Sequence, residues 1–364
     1  MRSLKIIHTE ASKGFGGQEK RILLESTSLI DKGHEILIVG QPNGELGAKA
    51  KSKSIPFRQL RMRFSWDIVS FLKFILIIIK FKPDLIHTHS SIDSWIAGLV
   101  GRLMRVPVFR TRHVSVPIRA HAFNLVYRLP KKIFTTAEVI KKLLITSKSC
   151  DPSKIIVVPT GVDTSVFKKE ISKSLFKSEM QVPENTLLVG MVAQLRGSKG
   201  HLDFLEAIRE LSMDKVKFYI VGDGEGRALF EKKAEESNLL NKRVFFLGYR
   251  DDIPTVMAGL DLLIIASTRT EGIPQVALQS MAMGVPIVGT NIGGVPEVLF
   301  PSGAGLVVPS ESSSALASGM KILLKNQNIR ERMGKMGQEY VMKNFSLESM
   351  IKKTLFLYEE AISD

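Results

Sequence analysis

The run from Thr270 to Glu297 holds the residues with the clearest chemical potential in this chain. Glu271 is followed by Gly272 and Pro274, then by an apolar stretch of helix length and a second glycine loop. A loop carboxylate accepts hydrogen bonds from hydroxyl groups, and N–H groups at the start of a helix bind phosphate. The pattern therefore favours a phosphate-linked sugar as ligand. A plain βαβ unit, whose glycines only form tight turns, is the alternative.

A second candidate loop runs from Ala193 to His201 and holds two cations three residues apart. Arg196 and Lys199 stand beside glycines in this loop. Arginine offers a fork of hydrogen-bond donors and lysine a compact charge, so the two together fit a diphosphate group. A solvated pair of surface charges is the alternative.

Histidines and basic residues at the ends of two predicted strands form a third group: His87, His89 and Asp93, then Arg110, Arg112 and His113. Histidines beside a carboxylate suit a metal ion, but their spacing matches no zinc motif and Cys150 is the single cysteine. We therefore expect no metal. His113 fits better as a hydrogen-bonding group that faces a cleft, although a lone histidine is as often structural.

Two glycine-rich loops follow predicted strands. The first, 13–19, contains Gly16 and Gly17 and precedes a helix, so it either lets the backbone approach an anion or simply turns the chain. The second, 222–226, is close to a dinucleotide-binding fingerprint. That fingerprint needs a glycine where Arg227 stands, and two acidic residues in the loop would repel a pyrophosphate. We expect no nicotinamide or flavin cofactor.

Short β-rich segments alternate with helical patterns, which is typical of parallel sheets with crossover helices. The pattern predicts strands at 4–8, 35–39, 84–89, 107–112, 132–136, 154–159, 186–193, 216–221, 243–247, 262–266, 286–289 and 305–308. The predicted fold class is α/β, with two doubly wound domains at 1–165 and 184–345, a polar boundary at 164–184 and an amphipathic helix from 346 to the C-terminus. Ligands of such sheets bind at the carboxyl ends of the strands, so two domains facing each other would form a central cleft.

Composition narrows the class of protein. An apolar content of 44% over 364 residues fits a folded two-domain enzyme rather than a disordered chain. One cysteine excludes an intramolecular disulfide framework and fits a reducing cytosol. The N-terminus has too few apolar residues for a signal peptide, and no stretch reaches the length of a membrane span.

The positive charge is confined to the first half. Residues 1–170 hold 29 lysine and arginine against 13 aspartate and glutamate residues, a net charge of +16, whereas residues 171–364 have a net charge of −1. Within this half the pattern predicts a helix from Phe64 to Phe81, apolar nearly all round and surrounded by basic residues. It either packs against the sheet or lies on an anionic bilayer surface, and the two are compatible.

Six phrases in this order are similar to those of glycosyltransferase family 4: the loop around Gly16, Gly17 and Glu19, VPTGVDTSVF at 158–167, AQLRGSKGH at 193–201, VGDGEGR at 221–227, the phrase that starts EGIPQVALQSM at 271, and GGVPE ending at 297. GGQE, HTHSSIDSW at 87–95 and RTRHVSVPI at 110–118 most resemble bacterial members that build lipopolysaccharide or other surface polysaccharides. The resemblance covers nearly the whole chain.

The resemblance implies a GT-B fold: two Rossmann-like domains, the acceptor in the first, the nucleotide-sugar donor in the second, and a C-terminal helix (346–364) that crosses back to the first. It implies retention of anomeric configuration without a metal. Four residues would be catalytic: Glu271, His113, Lys199 and Arg196. The donor would also meet Gly16, Gly17, Gly272, Ile273, Pro274, Gln275, Val276 and Gln279, and the acceptor side would include His87, His89, Asp93 and Arg112.

Two positions depart from the family pattern. Gln279 stands where a second glutamate commonly binds the ribose, and Gln194 stands where an arginine is common, with Arg196 two positions later as its substitute. Both changes preserve hydrogen bonding, so we expect activity to survive. A role that needs two carboxylates is in doubt.

The predicted function is a retaining, metal-independent glycosyltransferase that acts on a lipid-linked or polysaccharide acceptor at the cytoplasmic face of the plasma membrane, with an anionic membrane surface as partner. Departure of a nucleoside diphosphate needs cations and N–H groups where charge develops. A nucleotide-sugar 2-epimerase on the same fold is the enzymatic alternative. A basic nucleic-acid-binding protein is the non-enzymatic one, but the sequence has no helix-turn-helix or RNA-binding signature, so we expect no nucleic-acid partner.

Overall fold

The computed structural model describes residues 2–116, 125–148, 150–168, 170–269 and 271–363. Two compact units divide the chain. The first comprises Met1–Thr160 with Glu348–Asp364, and the second comprises Gly161–Leu347. Below they are called the first and the second domain.

The first domain is built on a seven-stranded parallel sheet. Its strands are β1 (Lys5–Glu10), β2 (Glu35–Gly40), β3 (Phe57–Gln59), β4 (Leu85–Thr88), β5 (Val108–Arg112), β6 (Lys132–Thr135) and β7 (Ile155–Val157). They lie in the order β3-β2-β1-β4-β5-β6-β7. The order reverses direction between β1 and β4, and ligands of doubly wound sheets bind at such a switch point.

Helices connect these strands. They are α1 (Gly17–Asp31), α2 (Glu45–Ser52), α3 (Ile68–Phe81), α4 (Ser91–Met104), α5 (Leu125–Arg128) and α6 (Glu138–Thr146). A short 3₁₀ turn, Pro152–Lys154, precedes β7. A C-terminal helix, Leu347–Ser363, packs on the same domain with Ile351, Leu355 and Tyr358 buried.

The second domain repeats the pattern with six parallel strands. They are β8 (Leu187–Val192), β9 (Val216–Val221), β10 (Val244–Gly248), β11 (Leu262–Ile265), β12 (Ile287–Thr290) and β13 (Gly305–Val308). Their order is β10-β9-β8-β11-β12-β13, so the switch point lies between β8 and β11. Two apolar clusters fill the interior of this domain.

Eight helices in the described residues belong to the second domain: α7 (Lys173–Glu179), α8 (His201–Glu210), α9 (Arg227–Glu236), α10 (Ile253–Gly259), α11 (Gln275–Ala282), α12 (Val295–Ser302), α13 (Ser313–Lys325) and α14 (Gln327–Asn344). The C-terminal helix of the first domain is therefore α15. Gly197–Lys199 forms a 3₁₀ turn immediately before α8. The predicted class, two Rossmann-like α/β domains in tandem, is confirmed for each domain by its strand order.

Three features differ from the sequence expectations. The edge strand β3 was not predicted, because its three residues are largely polar and give no alternating pattern. Helix α3 begins at Ile68 instead of Phe64, since the side chain of Asp67 caps it by accepting a hydrogen bond from the Ser70 N–H at 3.2 Å. The polar stretch 164–184 is more than a linker, because α7 lies in it and buries Phe176 completely.

Candidate active site

Glu271 and Lys199 meet at the switch point of the second domain. Lys199 ends the loop after β8, and Glu271 lies between β11 and α11. The ammonium group of Lys199 contacts Oε1 of Glu271, and the hydroxyl of Ser267 donates to the same oxygen at 2.7 Å. The two side chains keep 18% and 13% of their accessible surface. An ion pair that solvent still reaches is available to a ligand.

Glycines set the backbone on both sides of this pair. Gly200 has φ +75°, and a Cβ there would lie 1.8 Å from the carbonyl oxygen of Ala266. Gly293 has φ +58°, and a Cβ there would lie 2.1 Å from the carbonyl oxygen of Glu271. No side chain fits either contact. These glycines therefore hold the Lys199 and Glu271 loops against their neighbours.

Helix α11 starts directly after the Glu271 loop. Its N-cap residue is Pro274, whose side chain makes no capping hydrogen bond. The side chains of Gln275, Val276 and Gln279 are partly exposed. Gln279 stands four residues after Gln275, so the two lie on the same face of the helix. The N-terminus of α11 and this face offer N–H groups and an amide beside the ion pair.

The residues between Glu271 and Pro274 are held by the second glycine loop. The carbonyl of Gly272 accepts a hydrogen bond from the Gly294 N–H at 3.2 Å, and Ile273 packs against the interior apolar cluster. Thr270, where the run begins, lies outside the described residues.

Arg196 is exposed, and its side chain makes no hydrogen bond or ion pair with the described part of the chain. The loop that carries it is held by the glycine loop 222–226. The Leu195 N–H donates to the Asp223 carbonyl at 3.0 Å, and the Gly226 N–H donates to the Leu195 carbonyl at 2.9 Å. Gly224 has φ +157°, and a Cβ there would lie 2.6 Å from the Leu195 carbonyl oxygen. Close packing thus accounts for this glycine pattern without a dinucleotide.

In the first domain, three histidines form a hydrogen-bonded chain at the switch point between β1 and β4. Nε2 of His113 lies 3.2 Å from Nδ1 of His89, and Nε2 of His89 lies 3.0 Å from Nδ1 of His8. His8 and His89 are buried, while His113 is partly exposed after β5. The chain therefore leads from the strand end into the domain. His8 was missed in the sequence, because a histidine inside an apolar strand reads as a core residue.

Burial keeps this chain neutral. It lowers the pKa of His8 to about 3 and lowers the pKa values of His89 and His113 well below the usual 6.5. A neutral imidazole carries one N–H and one acceptor nitrogen. His89 bonds through both nitrogens, so its tautomer sets which nitrogen of His113 carries the proton.

His87 lies wholly inside the first domain. Its Nδ1 bonds to the hydroxyl of Tyr358, and its Nε2 lies 2.7 Å from the hydroxyl of Thr111. The Tyr358 hydroxyl donates to Glu25 at 3.0 Å, and Glu25 pairs with Arg21 at 3.5 Å, with both side chains fully buried. This network ties α15 to α1 and β4. A side chain so enclosed has no surface to offer an acceptor, so we interpret His87 as structural.

Asp93 has a capping role in the structure. It accepts hydrogen bonds from the backbone N–H groups of His89 and Ser90, each at 2.9 Å, and from the hydroxyls of Thr9 at 2.7 Å and Ser90 at 2.5 Å. These bonds fix the turn that leads into α4. Burial raises the pKa of Asp93, and it is enclosed like His87. The acceptor-side interpretation of Asp93 finds no support in this geometry.

Glu10, at the end of β1, is a buried carboxylic acid beside the first glycine loop that sequence reasoning did not single out. Burial, with the charge of Asp93 next in importance, raises its pKa to about 8. Its carboxylate accepts a hydrogen bond from the Ser12 N–H at 2.7 Å and another from the amide of Gln18. The available signal was an acidic residue at a strand end next to a glycine loop.

The remaining first-domain candidates lie at the strand ends. Gly16 caps α1, and its N–H donates to Glu19 at 2.7 Å. A Cβ on Gly17 would meet no described atom within 4 Å. The guanidinium of Arg112 binds the hydroxyl of Tyr127 and, at 2.5 Å, the Val116 carbonyl. Pro117 and Ile118, the end of the RTRHVSVPI phrase, lie outside the described residues.

Among the described residues, one group of side chains has a spacing that suits a metal ion: His8, His87 and His89. One ring nitrogen from each of them lies within 4.8 Å of the other two. Asp93, which the sequence placed with His87 and His89, is not in this group. Both ring nitrogens of His87 and of His89 have hydrogen-bond partners inside the domain. The absence of a metal stays a prediction.

Helix α3 buries one face and exposes another that is also apolar. Ser70, Phe74 and Ile78 are buried. The exposed apolar side chains are Phe64, Trp66, Ile68, Val69, Leu72, Leu76 and Ile79, each more than half accessible. Arg61, Arg63, Lys73, Lys80 and Lys82 are exposed around them. No helix in the described ranges has both the length and the apolar character to cross a bilayer.

Comparison with known proteins agrees with this architecture. The sequence model of Glycosyltransferase Family 4 matches residues 15–166, and that of Glycosyl transferases group 1 matches residues 172–340. The UDP-Gal:alpha-D-GlcNAc-diphosphoundecaprenol alpha-1,3-galactosyltransferase of Escherichia coli is 25% identical, and the match covers 99% of this chain and 97% of that protein.

Two solved structures share the fold. A glycosyltransferase from Rickettsia africae has a TM-score of 0.91 at 22% identity, with complete coverage of both chains. HepE from Anabaena, solved in complex with UDP, has a TM-score of 0.87 at 20% identity and covers 98% of this chain and 100% of its own.

The two family matches together take in every strand of both sheets except β1, and each sheet has the strand order of a Rossmann-like domain. The candidate residues of the second domain lie at its switch point, and those of the first domain lie at or after the ends of β1, β4 and β5. The chain is therefore a GT-B glycosyltransferase and belongs to glycosyltransferase family 4.

Proposed function

We propose that this glycosyltransferase moves a sugar from a nucleoside-diphosphate sugar to a lipid-linked acceptor, in the synthesis of a cell-surface glycan of the lipopolysaccharide type. The second domain binds the donor and the first binds the acceptor. The observation that carries the proposal is the solvent-accessible pair of Lys199 and Glu271 at a switch point, with Glu271 on the loop that leads into α11. A cation, a carboxylate and N–H groups match a diphosphate joined to a sugar.

Each group has a defined part. Glu271 accepts hydrogen bonds from hydroxyls of the transferred sugar. Lys199 and Arg196 neutralise the diphosphate, and the N–H groups of Gln275 and Val276 bind its distal phosphate. Pro274 has no N–H, so it contributes only its shape. Gln279 takes one hydrogen bond from the ribose.

The reaction proceeds with retention and without a metal. The bond between the anomeric carbon and the phosphate oxygen breaks as the acceptor oxygen bonds to the same face of the sugar. The departing phosphate takes the acceptor's proton, so no protein base is required. Negative charge grows on the diphosphate in the transition state, and preorganised cations stabilise it there more than in the ground state. His113 donates or accepts a hydrogen bond at the transferred sugar.

The E. coli relative supports the substrate classes. Its name specifies a UDP-sugar donor and a diphosphoundecaprenol acceptor, and it aligns with this chain over nearly its full length. We therefore propose UDP-sugars as the first donors to test and a polyprenyl-diphosphate-linked sugar as the acceptor.

The enzyme reaches such an acceptor from an anionic membrane surface. The exposed apolar face of α3 is ringed by Arg61, Arg63, Lys73 and Lys80. Basic residues near anionic lipid contribute about 1 kcal/mol each, and an apolar face adds burial in the headgroup region. Association of this kind is peripheral and reversible.

A thermal-shift screen over UDP-, GDP-, ADP- and dTDP-sugars tests the donor. A ligand at 100 times its Kd adds about 2.7 kcal/mol of stability. The best donor is then assayed with and without a polyprenyl-diphosphate-linked sugar. Transfer only in the presence of acceptor, with the anomeric configuration kept and EDTA without effect, supports the proposal. Exchange at sugar C2 without acceptor would identify an epimerase instead.

Vesicle co-sedimentation tests the membrane partner. Wild type should bind phosphatidylglycerol vesicles, bind neutral vesicles weakly and lose binding as salt rises, since the screening length falls from about 10 Å at 0.1 M to 3 Å at 1 M. Replacement of Arg61, Arg63, Lys73 and Lys80 by Gln should remove most of the binding. Equal sedimentation of this variant and wild type would exclude α3 as the membrane contact.

A further inference from the structure

Two neighbouring cavities open at the β1–β3 side of the first sheet, with volumes of about 900 and 260 Å³. They share Gln41 and Asn43 in the loop after β2. The smaller is lined by Lys13 and Arg61 as well. The larger adds two more cations, Lys51 and Arg58. No carboxylate lines either cavity.

The backbone under the two cations of the smaller cavity is held by hydrogen bonds. The Glu45 N–H donates to the Lys13 carbonyl at 3.2 Å, and the hydroxyl of Ser70 donates to the Arg61 carbonyl at 2.5 Å. Met62, which follows Arg61, is held by the buried Gln41. The Gln41 amide donates to the Met62 carbonyl and accepts from the Met62 N–H. These bonds fix the points at which the two side chains leave the backbone.

The cationic side chains themselves are available. Lys13 and Arg61 are exposed, and neither forms an ion pair with the described residues. The acidic residues nearest along the chain are Glu10 and Glu19 for Lys13 and Asp67 for Arg61, and all three are buried. A lysine point charge and an arginine fork in one small cavity suit a phosphate or diphosphate group.

An apolar surface begins next to this cavity. Phe64, Trp66 and Ile68 follow Arg61 within seven residues, and each is more than half exposed. A ligand with an anionic head and a hydrocarbon tail would contact both surfaces at once. A nucleotide or an inorganic anion would use only the cavity.

We propose that the Lys13–Arg61 cavity binds the diphosphate of the lipid-linked acceptor, with the start of the lipid chain on the exposed face of α3. This inference rests on the proposed function and assigns the acceptor's anionic group to residues separate from Lys199 and Arg196. The shared chemistry is a lipid phosphate ester. Its two sources are the acceptor and a bilayer headgroup.

Direct binding of farnesyl diphosphate by calorimetry tests the cavity. The variant Lys13→Ala/Arg61→Ala should bind this probe at least tenfold more weakly than wild type. Lys199→Ala should bind it within twofold of wild type, because the donor's diphosphate lies elsewhere. Farnesol keeps only the hydrocarbon chain of the probe, and inorganic pyrophosphate keeps only its anionic group. Both should bind more weakly than farnesyl diphosphate.

The matched control is Arg102→Ala/Lys142→Ala, which removes two exposed cations of the same domain far from the cavity in sequence. It should bind the probe like wild type. The variants at Lys13, Arg61, Arg102 and Lys142 should melt like wild type, since these four side chains are exposed. Loss of probe binding in Lys199→Ala but not in Lys13→Ala/Arg61→Ala would overturn the assignment and place the probe in the donor site.

Vesicles separate the two sources of phosphate. The single variant Lys13→Ala should co-sediment with phosphatidylglycerol vesicles as wild type does, while its KM for the polyprenyl-linked acceptor rises severalfold and its KM for the donor does not. Equal loss of vesicle binding and probe binding would identify a headgroup site and overturn the acceptor role. Because probe binding needs no turnover, it stands or falls separately from the transferase reaction.

Discussion

The two domains each hold a charged pair, but the two pairs differ in their access to solvent. In the second domain the pair of Lys199 and Glu271 keeps 18% and 13% of its side-chain surface. In the first, Arg21 and Glu25 have none, and Tyr358 of α15 bonds into the same network. Charges that solvent reaches are free to exchange partners with a ligand. Charges that are enclosed in a domain and bonded to each other hold its helices and strands in place and are not accessible to a ligand.

Glu25→Gln tests the buried ion pair of the first domain. It removes the negative charge that faces Arg21 and leaves a buried guanidinium without compensation, which costs about 3–5 kcal/mol. We expect a large fall in the urea midpoint at an unchanged m-value. The conservative control Tyr358→Phe removes only the hydroxyl and should cost less. A Glu25→Gln protein as stable as wild type would contradict a structural role for this network.

Glu271→Ala tests the solvent-accessible ion pair of the second domain. Transfer should fall about 10³-fold, the size of effect seen when one oriented polar group is removed from a transition state, while the melting temperature changes little. Glu225→Ala, which alters an exposed loop carboxylate of the same domain, is the control and should be fully active. Stopped-flow or radiolabel transfer assays measure both. Retained turnover in Glu271→Ala would remove it from the site.

The pH dependence of stability tests whether the histidine chain of the first domain is neutral in the folded protein. Folding lowers the pKa of His8 to about 3 and lowers those of His89 and His113, so below pH 6.5 the unfolded chain binds more protons than the folded one. The free energy of unfolding is therefore not reduced by these histidines well above pH 6.5. It falls as pH decreases toward 3, and at pH 6 each histidine has already lowered it by about 1 kcal/mol.

Chemical denaturation at pH 5.5, 6.5 and 7.5 measures this dependence. Burial also lowers the pKa values of His201, to about 4, and of His34, which adds to this dependence, and it raises the pKa of Glu10 to about 8, which opposes it. The variant His8→Phe should flatten the dependence by the share of one histidine. An identical pH slope in this variant would show that His8 is protonated equally in both states.

Gln279→Glu is the smallest expected change. If this partly exposed side chain faces the ribose, a carboxylate should strengthen donor binding severalfold, because charge-assisted hydrogen bonds are stronger. Titration calorimetry with the donor measures it, and Gln181→Glu at an exposed position of the same domain serves as the control substitution. A large drop in melting temperature with no gain in donor binding would refute the ribose role of Gln279.

The two tandem parallel-sheet domains, and the loops that carry Lys199, Glu271 and the glycines, could be predicted from local patterns in the chain. Alternation of apolar segments with glycine breaks is a local property, so a chain can reveal it without its fold. The prediction of Glu271 on a loop ahead of a helix depended only on neighbouring residues. Its catalytic role stays a prediction.

Which polar residues meet, and which are enclosed, depends on the fold of the whole chain and could not be predicted. Tyr358 and Glu25 are 333 residues apart, and His8 and His89 are 81 apart, yet each pair forms a hydrogen bond. Sequence spacing carries no information on such contacts, because strand order in a sheet, rather than distance along the chain, brings their ends together. For the same reason the sequence could not separate the enclosed His87 from the partly exposed His113.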